Sequence, residues 1–212
     1  MSLRKFILTV IALGTLLIAT HVSAGDAPAL EAVKTNKTAY NAQLRGGEIV
    51  GMHQVQRAFL TLGTNQIAFI VPSGFRMDAS DLQKIVLTEP ARGYFLAVRI
   101  SAAPSVEPGQ ETSYFKTAAL ARFPGAIIAD QSTQLVANHS GPSFDLTWVN
   151  GAGTAQKVRI AFIPSSAGVL ELSVLAPADK FKDALLYFSL LLGSVQNNEQ
   201  GKIVIVPRPD FS

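Results

Sequence analysis

Four short strand-like stretches, separated by three turn signals, constrain the fold of this chain more than any other feature. Ala126–Val136, Ser143–Val149, Lys157–Ile163 and Val169–Leu175 each have the length of a strand. Between them stand Asn138-His139-Ser140-Gly141-Pro142, Asn150-Gly151-Ala152-Gly153 and Pro164-Ser165-Ser166-Ala167-Gly168. Asn-Gly is the strongest of these signals, because both residues tolerate the positive φ that tight hairpin turns require. Connections this short point to an antiparallel meander.

The flanking sequence supplies more strands and two helices. Arg57–Leu62 and Gln66–Val71 read as strands joined by Gly63-Thr64-Asn65. Pro72-Ser73-Gly74-Phe75 ends the second, since Pro removes a donor and Gly permits a turn. Leu82–Thr88 and Tyr94–Ala102 read as a further pair around Glu89–Gly93. In the latter, Tyr94, Leu96, Val98 and Ile100 alternate with Phe95, Ala97 and Arg99, so one face is expected to be the more buried. Gln110–Phe123 has a helical pattern that Pro124-Gly125 stops. A second helix is expected over Ala178–Gln196, with Asp179 at its positive end. Its stripe of Phe181, Leu185, Phe188, Leu192 and Val195, joined by Ala184 and Leu191, must lie on a sheet. Asn197–Gly201 breaks it, and Lys202–Pro207 reads as a last short strand or an extended tail pairing with an edge. The order is strands, one helix, four strands, one helix. That is an α+β domain: a twisted antiparallel sheet with helices packed on it.

The start of the chain carries a different message. Arg4 and Lys5 precede an apolar run, Phe6–Ala19, and Val22-Ser23-Ala24 places small residues where a signal peptidase reads. This is the layout of a secretory signal over residues 1–24, cleaved after Ala24. The run is about 14 residues, short of the roughly 20 that a stable span needs; the alternative is an uncleaved anchor. Either way the folded part is expected outside the cytoplasm, periplasmic or secreted, with no stable membrane span after cleavage. Roughly 188 residues then remain, enough for one domain with its own core. We expect a flexible lead over 25–47, the domain over 48–196 and a tail over 197–212.

Composition excludes several functions. The formal charge of +3 falls to about +1 without Arg4 and Lys5, and no Lys/Arg cluster remains to attract nucleic acid. The chain has no cysteine, which removes thiol nucleophiles, thiolate metal sites and redox chemistry. It also removes the lipoprotein anchor, which needs a Cys just after the signal.

No catalytic, metal or cofactor set stands out. His53 and His139 lack metal-ligand spacing. His139, Ser140 and Asp145 could be assembled into a hydrolase story, but no G-x-S-x-G elbow is present and a base must act across a fixed site. Asp78 and Asp81 flank a turn, and Asp179 and Asp183 share a helix face; such carboxylates are usually caps or solvated charges. Gly151-Ala152-Gly153 precedes a strand, not a helix, and reads as a hairpin turn. Phe144 and Trp148 point the same way from one strand, as core or as the aromatic wall of a ligand groove. Leu186 and Leu190 lie near the far side of the last helix from its buried stripe, with Tyr187 between. The tail or the lead could cover them; otherwise they form an apolar strip for a partner protein.

The segment Phe69-Ile70-Val71-Pro72-Ser73-Gly74-Phe75 resembles the opening of PsbP-like and DcrB-like domains, a strand followed by P-x-G-aromatic. The strand pair, helix, meander and closing amphipathic helix that follow are similar too, over residues 58–196. The resemblance implies an α/β/α sandwich around an antiparallel sheet and a non-enzymatic exported protein. DcrB-like proteins are often lipoproteins, which this cysteine-free chain is not. PsbP proteins assist a manganese–calcium centre, and none of their functional residues matches a position here. Segments 25–57 and 202–212 have no counterpart in the resemblance. The expected function is an exported accessory protein that binds a partner protein of the envelope through Leu186, Tyr187 and Leu190. The alternative is a carrier of small hydrophobic ligands, with Phe144 and Trp148 lining its groove.

Overall fold

The computed structural model describes residues 40–50, 53–63, 65–81, 84–107, 109–165 and 168–198. The elements are β1 (Tyr40–Val50), β2 (His53–Leu62), β3 (Asn65–Val71), β4 (Arg76–Asp78), β5 (Lys84–Glu89), β6 (Tyr94–Ser101), α1 (Glu111–Arg122), β7 (Ile127–Val136), β8 (His139–Val149), β9 (Ala155–Ser165), β10 (Gly168–Pro177), α2 (Phe181–Ser194) and β11 (Gln196–Asn198). A single 3-10 turn, Ala178–Lys180, leads into α2.

The meander forms as the turns dictate: β7, β8, β9 and β10 are neighbours in sequence order, all antiparallel. On its far side β10 pairs with β6, which extends the sheet to seven strands in the order β4-β5-β6-β10-β9-β8-β7. The strands β1, β2, β3 and β11 form a second, four-stranded sheet. The sequence predicts one sheet; the division is a finding. Between β3 and β4 the chain turns through Pro72–Phe75, where the Phe75 N–H donates to the Pro72 carbonyl.

Alternation along the strands sorts side chains to two cores. Leu96, Val98, Leu172 and Val174 face the side where α2 packs, together with Leu60 and Phe69 of the smaller sheet. Phe144, Leu146, Ile160 and Phe162 face the opposite side, where Phe115 and Ala119 of α1 pack. Helix, sheet, helix is the expected layering. Each large apolar side chain so enclosed contributes about 1.5–3 kcal/mol relative to exposure. The alternation expected in β6 is observed, with its even-numbered residues buried and its odd-numbered ones more exposed. At its C-terminal end α2 is pinned to the smaller sheet. The Ser194 hydroxyl accepts the Ile70 N–H at 3.0 Å and donates to the Leu191 carbonyl at 2.8 Å. Then β11 takes over the pairing with β3.

Three local features differ from the sequence reading. β1 begins at Tyr40, inside the segment expected as a flexible lead. It is an edge strand paired on one side with β2, so it needs no apolar run, and its register shifts between Arg45 and Glu48, where Gly46 and Gly47 stand. The three-residue β4 is too short to leave a periodic signal. The turn between β7 and β8 falls at Ala137-Asn138, both at positive φ, so Ser140, Gly141 and Pro142 belong to the strand. Pro142 is tolerated because the ladder to β9 begins only at Ser143. The expected signal at 1–24 and the expected strand or tail at 202–207 lie outside the described residues. No described helix is long and apolar enough to cross a membrane.

Gly141 serves a steric purpose that turn chemistry alone does not reveal. A Cβ there would overlap the Phe162 carbonyl oxygen and crowd Pro164. Gly141→Ala is expected to lower stability by about 1–3 kcal/mol through strain in the sheet. Urea unfolding reads it as a lower midpoint at unchanged slope; an unchanged midpoint would show that β8 and β9 are not so closely apposed.

Candidate functional site

Helix α2 has two characters along one length. Phe181, Ala184, Phe188, Leu191 and Leu192 are buried against β10 and β3. Leu186 and Leu190, one turn apart on the other side, are 66% and 65% exposed. Side chains at i and i+4 are neighbours on a helix surface, so the two leucines form one continuous apolar strip. Lys182, Ser189 and Gly193 are exposed as well. Gly193 has no positive φ and nothing within 4 Å of where a Cβ would stand. Gly193 stands in the final turn of α2, and no contact among the described residues requires a glycine there.

Tyr187 does not share that strip. Its ring lies 5.3 Å from Phe75 and 6.0 Å from Tyr94, centroid to centroid, and Arg92 donates a hydrogen bond to its hydroxyl. The Arg92 guanidinium also stands 5.6 Å from the Tyr187 ring centroid. Burial pushes the Tyr94 hydroxyl above its ordinary pKa, and the carboxylate of Asp183 adds to the shift. The leucines face outward, while the half-buried Tyr187 fastens the flank of the helix to the β3–β4 and β5–β6 connections. A helical wheel places Tyr187 between the leucines and its stripe, and only the tertiary contact decides which side claims it.

Phe144 and Trp148 do project the same way, as strand alternation requires, but they lie beneath α1. Phe144 is 0% exposed and meets Phe162 edge-on at 6.4 Å, while Phe115 of α1 stacks on Phe162 at 4.9 Å. Trp148 is half-buried against Phe123, at 5.3 Å. Both side chains join α1 to the sheet, and the expected groove lined by them is occupied by the helix.

The polar residues of the larger sheet form a structural ion cluster. Asp145 is buried and accepts from Arg159 through Nε at 2.6 Å and Nη2 at 3.0 Å, while Lys157 Nζ stands 3.4 Å away. That ammonium also lies 4.9 Å from the centroid of the Phe181 ring. The bond to Asp145 raises the Arg159 pKa above its ordinary value. Asp145 is fully committed to these two cations. His139 and Ser140 are six and five residues away along the same strand, roughly 16–20 Å at strand rise. Their combination with Asp145 into a catalytic set is excluded by that distance.

The remaining candidates resolve as local structure. Asp78 accepts the Ser80 N–H at 2.8 Å, a turn bond that lowers its pKa. Asn150 closes the β8–β9 hairpin by accepting the N–H groups of Ala152 and Thr154, both at 3.0 Å. A cavity of about 330 Å³ is lined by Thr112 at the start of α1 and by Gln131, Thr133, Ser140 and Pro142 of β7 and β8. Its lining is neutral. Among the described residues, no group of three or more His, Cys, Asp or Glu side chains could hold a metal ion.

Comparison with known proteins finds likeness in fold. No family model and no curated protein matches the chain. Among solved structures, the chain is similar to LpqN of Mycobacterium tuberculosis, described as involved in cell envelope biogenesis. The two share 16% identity over 74% of this chain and 91% of LpqN, with a TM-score of 0.50. The likeness to LpqN is one of α+β fold. Cyanobacterial PsbP (CyanoP) of Synechocystis is also found, at 14% identity, covering 82% of this chain and all of that one, with a TM-score of 0.43. A Pseudomonas aeruginosa protein of unknown function, PA94, matches at 15% identity over 68% of this chain and 92% of its own, with a TM-score of 0.41.

Proposed function

We propose that this chain is an exported accessory protein that catalyses no reaction and binds a partner protein of the cell envelope through the outer side of α2. The observation that carries the reading is the exposure of Leu186 and Leu190 on a helix whose other side is locked into the core. A helix that only closes a sheet places polar residues at such positions. Two adjacent leucines held on a rigid element are the kind of anchor that a protein interface buries. The signal-like start, Arg4 to Ala24, supports export, and the fold is shared with LpqN, a protein of envelope biogenesis. Phe144 lies under α1, so among the described residues it offers the carrier reading no open wall.

A photo-crosslinking amino acid at position 190, in cells that make the protein, tests this reading. The expected product is one discrete adduct with an envelope protein, absent when the probe stands at the exposed Ala121 of α1. Equal or absent adducts at both positions would count against it. Leu190→Glu is expected to abolish the interaction while changing stability by no more than about 0.5 kcal/mol, as surface substitutions do. Thermal unfolding beside a binding assay reads both.

A further inference from the structure

We propose that β7 pairs with β7 of a second copy of this chain, antiparallel and centred on Thr133, so that two seven-stranded sheets become one. Among the described residues β7 is paired on one side only, with β8, and stands at the end of its sheet. An open edge is a template for another strand, and folded proteins usually blunt it with charge, proline, a bulge or shortness. The other described edges carry such devices. β4, at the far end of the same sheet, is three residues long with Arg76 and Asp78 exposed. β1 has Arg45 and Glu48 at its register shift, and β11 is three residues long. β7 has ten residues, and its bulge lies between Ile128 and Asp130. The stretch beyond it, Gln131–Val136, contains no charge and no proline. Gln131, Ser132, Thr133 and Leu135 are exposed, Leu135 by 65%.

The register follows from the hairpin. Ala137 and Asn138, both at positive φ, form a two-residue turn, which makes Val136 and His139 a hydrogen-bonded pair. Bonded and non-bonded pairs alternate along an antiparallel ladder. Gln134 with Gly141 and Ser132 with Ser143 are therefore bonded pairs, while Gln131, Thr133 and Leu135 turn their N–H and C=O groups away from β8. Pro142 opposite Thr133 agrees, since a residue without an N–H fits a non-bonded position. The outward groups recur at every second residue, so β7 is complementary to itself. About a two-fold axis at Thr133, Thr133 meets the partner's Thr133 and Gln131 meets the partner's Leu135, and the same patch serves both copies, as a closed dimer requires. An axis one residue to either side would set Leu135 against the partner's Ala129, at the bulge, or Gln131 against the partner's Ala137, in the turn. Asp130, the one charged residue of β7, lies opposite the partner's Val136, so no like charges meet. Threonine opposite threonine is a favourable cross-strand pair. A strand pair of this length buries less than a standard interface, so a dissociation constant of about 10–100 µM is expected. Helix α2 packs on β10 and β3, away from this edge, so the pairing and the partner binding proposed above stand or fall separately.

Sedimentation equilibrium of the mature full-length chain, from about 1 µM to about 1 mM, tests the pairing. The expected result is a monomer–dimer equilibrium that Leu190→Glu leaves unchanged. Thr133→Lys should weaken it at least about tenfold, because it sets two ammonium groups opposite one another. Thr133 is exposed, so the folded monomer accommodates the lysine, which circular dichroism checks. Thr133→Cys reads the register itself. Bonded pairs hold their Cα atoms about 5.5 Å apart, within disulfide reach, and the chain has no other cysteine. On oxidation this variant should form a disulfide-linked dimer at least about tenfold faster than one carrying Ala121→Cys on the exposed side of α1. A monomer at every concentration, a dimer that Thr133→Lys leaves intact, a dimer lost in Leu190→Glu, or equal disulfide rates would each overturn the proposal.

Discussion

Replacing Phe144 by alanine should lower the unfolding free energy by about 3–5 kcal/mol, the cost of removing a large aromatic side chain from a closed core. Phe144 is fully enclosed and shares its contact with Phe162, on which Phe115 of α1 stacks. The loss combines the transfer of the ring with the cavity left beneath α1, and the surrounding sheet cannot collapse far because β7 and β9 hold β8 from both sides. Urea unfolding should show a lower midpoint, and the same experiment on Leu190→Glu should show almost no change. A cost below about 1 kcal/mol at Phe144 would mean that the ring lines an adaptable space, and it would return weight to a ligand groove.

The second large effect is expected at Asp145. Asp145→Ala leaves Arg159 and Lys157 beside an empty site, with 25% and 31% of their side chains exposed. Breaking a buried ion pair by removing one partner costs about 3–5 kcal/mol, because the remaining charge stays desolvated. Both cations here keep some contact with water, so about 2–3 kcal/mol is expected. The double variant Asp145→Leu with Arg159→Met should recover part of that loss, since it removes the less exposed of the two cations together with the carboxylate and leaves only Lys157, 31% exposed, without its partner. A single variant as stable as the parent would show that the carboxylate is not enclosed. A double variant worse than the single one would show that the cluster orders the sheet in a way apolar packing cannot replace.

The meander, the alternation in β6 and the buried stripe of α2 were legible because each rests on a period or a turn that neighbouring residues determine. Asn150 is the clearest case: its side chain closes the β8–β9 turn that the Asn-Gly pair announces. What local signals could not carry is settled by distant partners. β1 has little apolar content and gains its place by pairing with β2. Gly141 looks like a turn residue and is needed instead where β8 passes the Phe162 carbonyl. The exposure of Leu186 and Leu190 follows from helical spacing, whereas Tyr187 is drawn aside by Phe75, Tyr94 and Arg92, which no reading of the helix alone brings together. Phe144 and Trp148 show the same limit. Strand alternation places them on one face, and only the path of α1 decides that the face is covered.

The central claim is that the outer side of α2 binds a partner protein of the envelope. Native mass spectrometry of the protein, gently extracted from its own envelope fraction, tests it most directly when the parent and Leu190→Glu are measured side by side. The account predicts a chain beginning at Gly25, bound to a second protein in the parent and bare in the variant. A bare monomer in both, or the same complex in both, would contradict it.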